Sequence, residues 1–442
     1  MAKVVSICKK INDYNTNIII DGDKSISIRT LMLASWGIGK SKITNLPNSE
    51  DVNSTINCLK KLGVQIIKKK NCCEIFGNGI NSFVYKKGII LNAGNSGTCA
   101  RLILGLLIAT NQKIKLTGDK SLSKRDFFRV IDPLKKFGAV FLPLNKKNLP
   151  ISILGSDLVR PIKYQENIGS AQCKSSVMLA ALNAPGTTTI KSKKSRNHTE
   201  LLYKYLNIPI KIKKKKSFDI IKIEGRNNFK SLNYNIPGDF SSSAFFIVLT
   251  LLSKNSKLII RNVNINPSRI GCVKILNMMG ANILLKNKKK YKGELIGDIF
   301  VRSKKILKNI NCPTKLNSNA IDEFLIIFLA CIKTKGASVF KNLSELNKKE
   351  SPRLLIASSI LNKIGVKTKL NSNSIKIYGN PNLNISKKII IKNFMKDHRV
   401  FMMSVIAALS FGGQWKIHDS ESTKTSFPNF LKLIKSLGAK IN

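Results

Sequence analysis

Internal repetition is the feature that most narrows what this chain can fold into. Six times in 442 residues it reads as a strand, a polar loop, an amphipathic helix, a closing Gly or Asn, and a further strand. The segments are KITNLPNSEDVNSTINCLKKLGVQI, KLTGDKSLSKRDFFRVIDPLKKFGAVF, TTIKSKKSRNHTELLYKYLNIPI, LIIRNVNINPSRIGCVKILNMMGANI, SVFKNLSELNKKESPRLLIASSILNKIGVKT and WKIHDSESTKTSFPNFLKLIKSLGAKI. The closing positions are Gly63, Gly138, Asn207, Gly280, Gly365 and Gly438. They recur at roughly 70–85 residues, the period of a structural repeat. Gly or Asn just past a helix supplies the left-handed residue that ends it. Val52, Ile56, Leu59 and Leu62 share one helical stripe, as do Val130, Leu134 and Phe137.

Each repeat also holds a second, more apolar segment: TLMLASWGI, GTCARLILGLLIA, AQCKSSVMLAAL, SSAFFIVLTLL, AIDEFLIIFLACI and HRVFMMSVIAAL. A helix apolar nearly all round must be buried on every side. The repeating unit is therefore β-α-β-α-β-β, with one buried and one half-exposed helix. One sheet cannot shield three buried helices, so three units should surround a helical core. Six units then make two globules of the α/β class (α+β in some schemes).

Composition bears on partners. Hydrophobic residues are 43 % and charged residues 23 %, which excludes wholesale disorder. Lys and Arg outnumber Asp and Glu by 76 to 24, a net charge of +52 that alone would suggest a polyanion partner. The excess is mostly Lys beside abundant Asn and Ile, the signature of A/T-biased codons, so compositional drift outweighs a nucleic-acid role. The runs Lys68–Lys70, Lys213–Lys216 and Lys288–Lys290 fall shortly after a closing residue, where the last two strands should turn, and read as solvated hairpin tips. Aromatics are 7 % of the chain and lie mostly in apolar helices, not interleaved with the basic runs as single-strand binders require. Nine cysteines without a CxxC, and only three histidines, argue for free thiols and against a metal site. The longest apolar run, near Ala244–Leu252, is about half of what a membrane span needs. The start MAKVVSICKK lacks the features of a secretory leader, so we expect a cytoplasmic protein with no membrane partner.

The informative polar residues stand at the starts of the six buried helices. In order they are Lys24, Ser25 and Arg29; Asn95, Gly97, Thr98 and Arg101; Ser170, Ala171, Gln172 and Lys174; Asp239 and Ser241–Ser243; Asp322 and Glu323; and Asp397, His398 and Arg399. Helix N-termini carry unpaired N–H groups and attract anions. Ser and Asp there also serve as ordinary caps, but capping does not account for the neighbouring Arg and Lys. Phosphate or carboxylate recognition does. The loops leading into half-exposed helices add Lys124, Arg125 and Arg129; Ser195, Arg196 and His198; and Lys348, Lys349, Glu350 and Arg353. Glu350 and Arg353 are three apart and could equally form a plain surface ion pair.

Taken in order, the motifs GDKSIS-x-R, N-x-GT-x-x-R, LTGD-x-x-x-x-KR, SAQ-x-KS, NAPGTTTI, SR-x-HTE, PGDFSS, IDE, KES-x-R, DHR and TSFP span about Asp21 to Leu437. This ordered set resembles the enolpyruvyl transferases, in the branch acting on shikimate 3-phosphate, with SAQ-x-KS and SR-x-HTE similar to its second class. The resemblance implies two three-unit globules, each like an inverse αβ barrel, joined by a double hinge near Asp21–Gly22 and Ile236–Gly238. The domains would be 1–22 plus 238–442, with 23–237 inserted.

It also implies a reaction. Phosphoenolpyruvate would pass its enolpyruvyl group to the 5-hydroxyl of shikimate 3-phosphate by addition and elimination in a closed cleft, releasing phosphate, with no metal or cofactor. Carried over residue by residue, Lys24, Ser25, Arg29, Ser170, Ala171, Gln172, Ser195, Arg196, Asp322 and Lys349 would contact shikimate 3-phosphate. Lys24, Asn95, Gly97, Arg125, Gln172, Arg353, Arg399 and Lys424 would contact phosphoenolpyruvate. Asp322 would take the hydroxyl proton, and Lys24 and Glu350 would move protons at C3 and the leaving group. Ile28 stands where the family often has His, and Lys424 is one place from a Lys of some members. Gly97 keeps the small residue of glyphosate-sensitive members while the second-class motifs are those of usually tolerant ones; of these opposed signs Gly97 is given the greater weight, and the inhibitor is expected to bind. The two substrates are the only partners expected, and a monomer the expected form. A transferase acting on a UDP-linked amino sugar is the rival reading; it would need a nucleotide pocket and a reactive Cys loop. A basic nucleic-acid-binding protein is the rival from another class.

Overall fold

The structure, a computed structural model, describes residues 3–69 and 72–442. Lys70, in the first basic run, lies outside the described residues. The chain divides into two units: Met1–Asp21, Pro237–Lys290 and Leu295–Asn442 form one, and Gly22–Ile236 with Tyr291–Glu294 form the other. The six buried helices are α1 (Lys24–Ala34), α2 (Gly97–Leu106), α3 (Ala171–Ala181), α4 (Phe240–Leu252), α5 (Phe324–Ala330) and α6 (His398–Phe411).

The repeat is plainest in the middle of the inserted unit. Strands Ile90–Asn92 and Ile114–Thr117 pair in parallel across α2. Ile151–Leu154 then pairs antiparallel with Ile114–Thr117, and Val140–Leu142 closes the edge. The following unit repeats this order with Lys163–Glu166, Thr187–Lys193, Phe218–Glu224 and Ile210–Lys214. A parallel pair needs a long crossover, and the buried helix is that crossover.

Two repeats borrow their first strand from elsewhere in the chain. Asn233–Asn235 pairs in parallel with Gly39–Thr44 and completes the first repeat. Asn15–Ile19 pairs in parallel with Lys257–Asn264 and completes the fourth. In the last, Val5–Ile7 lies antiparallel to Gln414–Ile417. The fifth repeat is split into a two-stranded and a three-stranded sheet.

All six closing residues have positive φ, from 54° at Asn207 to 111° at Gly138. The apolar stripe of helix Glu50–Lys61 is buried, and so is every residue of α4. Helices α2 and α3 approach closely at Gly105, where a Cβ would lie 2.3 Å from the Ser176 carbonyl oxygen.

The structure corrects two expectations. Lys213–Lys216 does lie at a hairpin tip, running from the end of strand Ile210–Lys214 into the turn, but Lys288–Lys290 lies along strand Ile283–Tyr291, exposed, before a turn made by Lys292 and Gly293. That strand is longer than its counterparts. Residues 291–294 also leave the 238–442 segment and belong to the inserted unit, because they pack along helix His198–Tyr205.

Replacing Gly105 by Ala should lower stability by about 1–3 kcal/mol, since the added methyl meets backbone that cannot yield cheaply. Urea denaturation measures this, and an unchanged midpoint would refute the close approach.

Candidate active site

In the inserted unit the starts of α1, α2 and α3 are tied together by side chains. Asp23, Ser96 and Ser170 cap the three helices, each accepting from a backbone N–H of the first turn. The cationic residues beside them have separate duties. Arg29, buried in α1, donates to Thr199 Oγ1 at 3.0 Å and to Ser175 Oγ of α3 at 3.1 Å. Its third bond, at 2.9 Å, goes to the Ser25 carbonyl. Lys24 pairs with Asp51 at 2.8 Å.

Gln172 bridges α3 to α2, accepting from Arg101 at 3.0 Å and donating to Thr98 Oγ1 at 3.0 Å. Asn95 donates to Asp119 at 2.6 Å and accepts from Arg125 at 3.3 Å. Gly97 lets two guanidinium groups converge: a Cβ there would be 2.8 Å from Arg101 Nη1 and 2.9 Å from Arg125 Nη1. Ser170 and Ala171 open α3. Ser195 and Arg196 precede helix His198–Tyr205, which contributes Glu200 to a buried pair with Lys174 at 2.6 Å.

In the other unit, Arg353 is the hub. It is fully buried and donates to Asp397 at 2.8 and 3.2 Å and to Glu350 at 2.5 Å. Asp322 stands 3.6 Å from it and 3.3 Å from Lys349. Glu350 is therefore half-buried in a network centred on a buried arginine and not part of a simple surface pair. Asp397 also caps α6 through the Arg399 N–H at 3.0 Å, which aims that helix start at the same cluster. Burial opposes both charges. Asp397, Glu350 and Asp322 nonetheless raise the Arg353 pKa, and Arg353 holds the Asp397 carboxyl below its ordinary range.

Beside this network, Arg269 donates to Asp239 at 3.2 Å and to Ser241 at 2.9 Å, and Ser241 donates to Glu323. The start of α4 is thus tied to that of α5. Arg399 is buried, while Lys424 is exposed in the turn Ser420–Thr425, next to Thr425, which shares a hydrogen bond with His398.

Sequence reasoning assigned no part to Asp51, Asp119, Glu200 or Arg269, although Asp119 and Glu200 stand inside the motifs LTGD-x-x-x-x-KR and SR-x-HTE. Asp51 reads as an ordinary first-turn acid, and Arg269 as a lone cation between Ser268 and Ile270. Only tertiary packing shows that each holds a neighbour of the candidate site. Among the described residues no three His, Cys, Asp or Glu side chains could hold a metal ion, and no helix is long and apolar enough to cross a membrane.

A family model described as EPSP synthase (3-phosphoshikimate 1-carboxyvinyltransferase) matches residues 8–434. The chain belongs to the EPSP synthase family. The 3-phosphoshikimate 1-carboxyvinyltransferase of Ruthia magnifica subsp. Calyptogena magnifica is 38 % identical over 438 residues, covering 99 % of this chain and 98 % of the relative. That of Petrotoga mobilis is 38 % identical over 430 residues, covering 96 % and 97 %. Among solved structures, an EPSP synthase from Acinetobacter baumannii superposes with a TM-score of 0.86 at 31 % identity, covering 100 % of this chain and 99 % of that one. The enolpyruvyl transferase NikO from Streptomyces tendae shares the fold, with a TM-score of 0.78 at 13 % identity and coverage of 100 % and 99 %. Membership of the EPSP synthase family accords with cationic side chains gathered at helix starts in each unit.

Substituting Asp397 by Asn breaks the buried pair and should cost about 3–5 kcal/mol at neutral pH. A carboxyl depressed in the folded state stabilises above its unfolded pKa and loses that contribution as pH falls through its folded value. The wild-type advantage should be flat from pH 7 to about 5 and narrow below the ordinary value of 3.8. Denaturant midpoints across this range test it; a gap that does not narrow would contradict the ionised pair.

Proposed function

We propose that the chain transfers the enolpyruvyl group of phosphoenolpyruvate to the 5-hydroxyl of shikimate 3-phosphate and releases phosphate. Family membership supports this, as do full-length relatives named for that activity. The observation that carries it within the molecule is the convergence of Arg101 and Arg125 on Gly97, at the start of a buried helix. Two guanidinium groups beside the first-turn backbone N–H groups of a helix suit a phosphate, and such an arrangement offsets the cost of taking a multiply charged anion out of water.

Under this reading Arg125, Lys24, Asn95 and Gln172 hold the phosphate of phosphoenolpyruvate, and Arg353, Arg399 and Lys424 its carboxylate. Arg29 and Ser25 hold the shikimate carboxylate. Ser170, Ala171, Ser195 and Arg196 hold its phosphate, with Gln172 against the ring. Asp322 faces Lys349 and Arg353, an environment that favours a carboxylate able to accept the 5-hydroxyl proton. Lys349 contacts the same substrate, and Glu350 and Lys24 move protons at C3 and at the departing phosphate. Addition creates a tetrahedral intermediate; elimination restores the double bond as phosphate leaves. The working form is a cytoplasmic monomer needing neither metal nor cofactor, with domains 1–22 plus 238–442 and 23–237, apart from the tip 291–294, which belongs with the second. The relatives' names favour this substrate over a sugar nucleotide.

Phosphate release from phosphoenolpyruvate, with and without shikimate 3-phosphate, is the direct test; release independent of the second substrate would sink the reading. Arg125→Ala and Arg399→Ala should each lower kcat/KM by about 2–5 kcal/mol in transition-state binding, roughly 30-fold or more. A variant within twofold of wild type would remove that residue from the assignment. Gly97→Ala would place a methyl against both guanidinium groups. We expect KM for phosphoenolpyruvate and the glyphosate inhibition constant to rise together, while KM for shikimate 3-phosphate stays near wild type. Steady-state inhibition kinetics decide this.

A further inference from the structure

The hairpin tip Tyr291–Glu294 lies along one face of helix His198–Tyr205. Three consecutive tip residues meet three helix positions. Glu294 Oε1 accepts from His198 Nδ1 at 2.6 Å, with both side chains buried. A Cβ on Gly293 would be 3.0 Å from the Leu201 carbonyl oxygen. The Lys292 ammonium lies 5.3 Å from the centre of the Tyr205 ring. Positions 198, 201 and 205 follow the spacing of one helical face. Lys292 is also 5.8 Å from the Tyr234 ring and 5.3 Å from the Tyr291 ring, and it donates to the Asn233 carbonyl. The Tyr291 hydroxyl accepts from the Asn235 N–H at 2.9 Å. A cation amid three tyrosine rings, together with backbone bonds, fixes the tip firmly.

The neighbouring helix positions hold the site from another direction. Thr199 accepts from Arg29 at 3.0 Å, and Glu200 pairs with Lys174 at 2.6 Å. The loop just before His198 carries Ser195 and Arg196. Among the described residues the buried Ser195 Oγ has no hydrogen-bond partner, so no bond of its own sets its direction. The placement of Ser195 depends on the backbone leading into His198. A buried carboxylate at a hairpin tip is costly to keep, and here it is spent on the first residue of that helix.

We propose that the tip braces the phosphate-binding loop, with Glu294 a positioning residue that acts through His198. The inference rests on the assignment of Ser195 and Arg196 to the shikimate phosphate. It predicts a selective defect, because a displaced loop weakens one substrate's grip and leaves the groups assigned to the other in place.

The test compares steady-state kinetics of the full chain with equilibrium binding of shikimate 3-phosphate. Wild type must first show activity dependent on shikimate 3-phosphate; if it does not, the assigned function itself fails. Given that activity, Glu294→Ala should raise KM and Kd for shikimate 3-phosphate by about tenfold or more, with KM for phosphoenolpyruvate within about threefold of wild type. Glu294→Gln, which keeps an acceptor for His198, should recover most of the loss. The double variant His198→Ala/Glu294→Ala should be no worse than His198→Ala alone, as expected for two residues acting as one link. Lys292→Ala, which loosens the far end of the tip without touching the buried pair, should give a smaller shift with the same selectivity and serves if Glu294→Ala does not fold. An unchanged shikimate 3-phosphate KM in Glu294→Ala or Lys292→Ala, or equal rises for both substrates, would overturn the brace.

Discussion

A helix buried on every side leaves the N–H groups of its first turn without water, and this fold has six such helices. Each start must be satisfied from within. Ser and Asp caps answer part of that need at five of the six, from Asp23 to Asp397. What remains is a positive end in a poorly solvated place, and the chain gathers Arg, Lys and their carboxylate partners there. The Arg353–Asp397 pair shows how closely stability and site are joined. The same aspartate caps α6 and holds a candidate substrate-binding guanidinium in its charged form. A residue that keeps the fold together cannot there be separated from one that shapes the site.

The repeat, the buried helices and the left-handed closing residues were legible because each is a local pattern. Val52, Ile56 and Leu59 announce one face by spacing alone, and Gly138 announces a helix end by its freedom at positive φ. Strand exchange was not legible. Nothing in Asn233–Asn235 says that it pairs with Gly39–Thr44 and not with the next strand in sequence, since a strand's pattern tells which face is buried but not which partner lies beside it. The Lys288–Lys290 run was misplaced for the same reason: its strand extends beyond the length of its counterparts to reach a packing partner far away in the chain.

The candidate residues were legible as types in places, and the links among them were not. Motif order picked out Lys24, Gln172, Arg125 and Arg353. The acids that hold these or their neighbours, Asp51, Asp119, Glu200 and Asp397, are spread over nearly 350 residues of chain; all but Asp51 stand inside motifs, yet nothing local says which cation each one holds. Arg269 makes the point most sharply, because a lone arginine between Ser268 and Ile270 carries no local signal, yet it binds the starts of two buried helices. Charge composition told least: exposed lysines lie on strand after strand, whereas Arg29, Arg353 and Arg399 of the candidate site are buried.

The borrowed strands set an order on assembly during synthesis. Gly22–Ile236 contains Asn233–Asn235, so the core of that unit has its closing strand at hand as soon as about half the chain has left the ribosome. The segments Val5–Ile7 and Asn15–Ile19 are made before that unit but wait for Gln414–Ile417 and Lys257–Asn264, made after it. Strands made well before their partners are therefore among the last to find their places, and until then they are unpaired edges on a nascent chain, the kind of segment that chaperones shield.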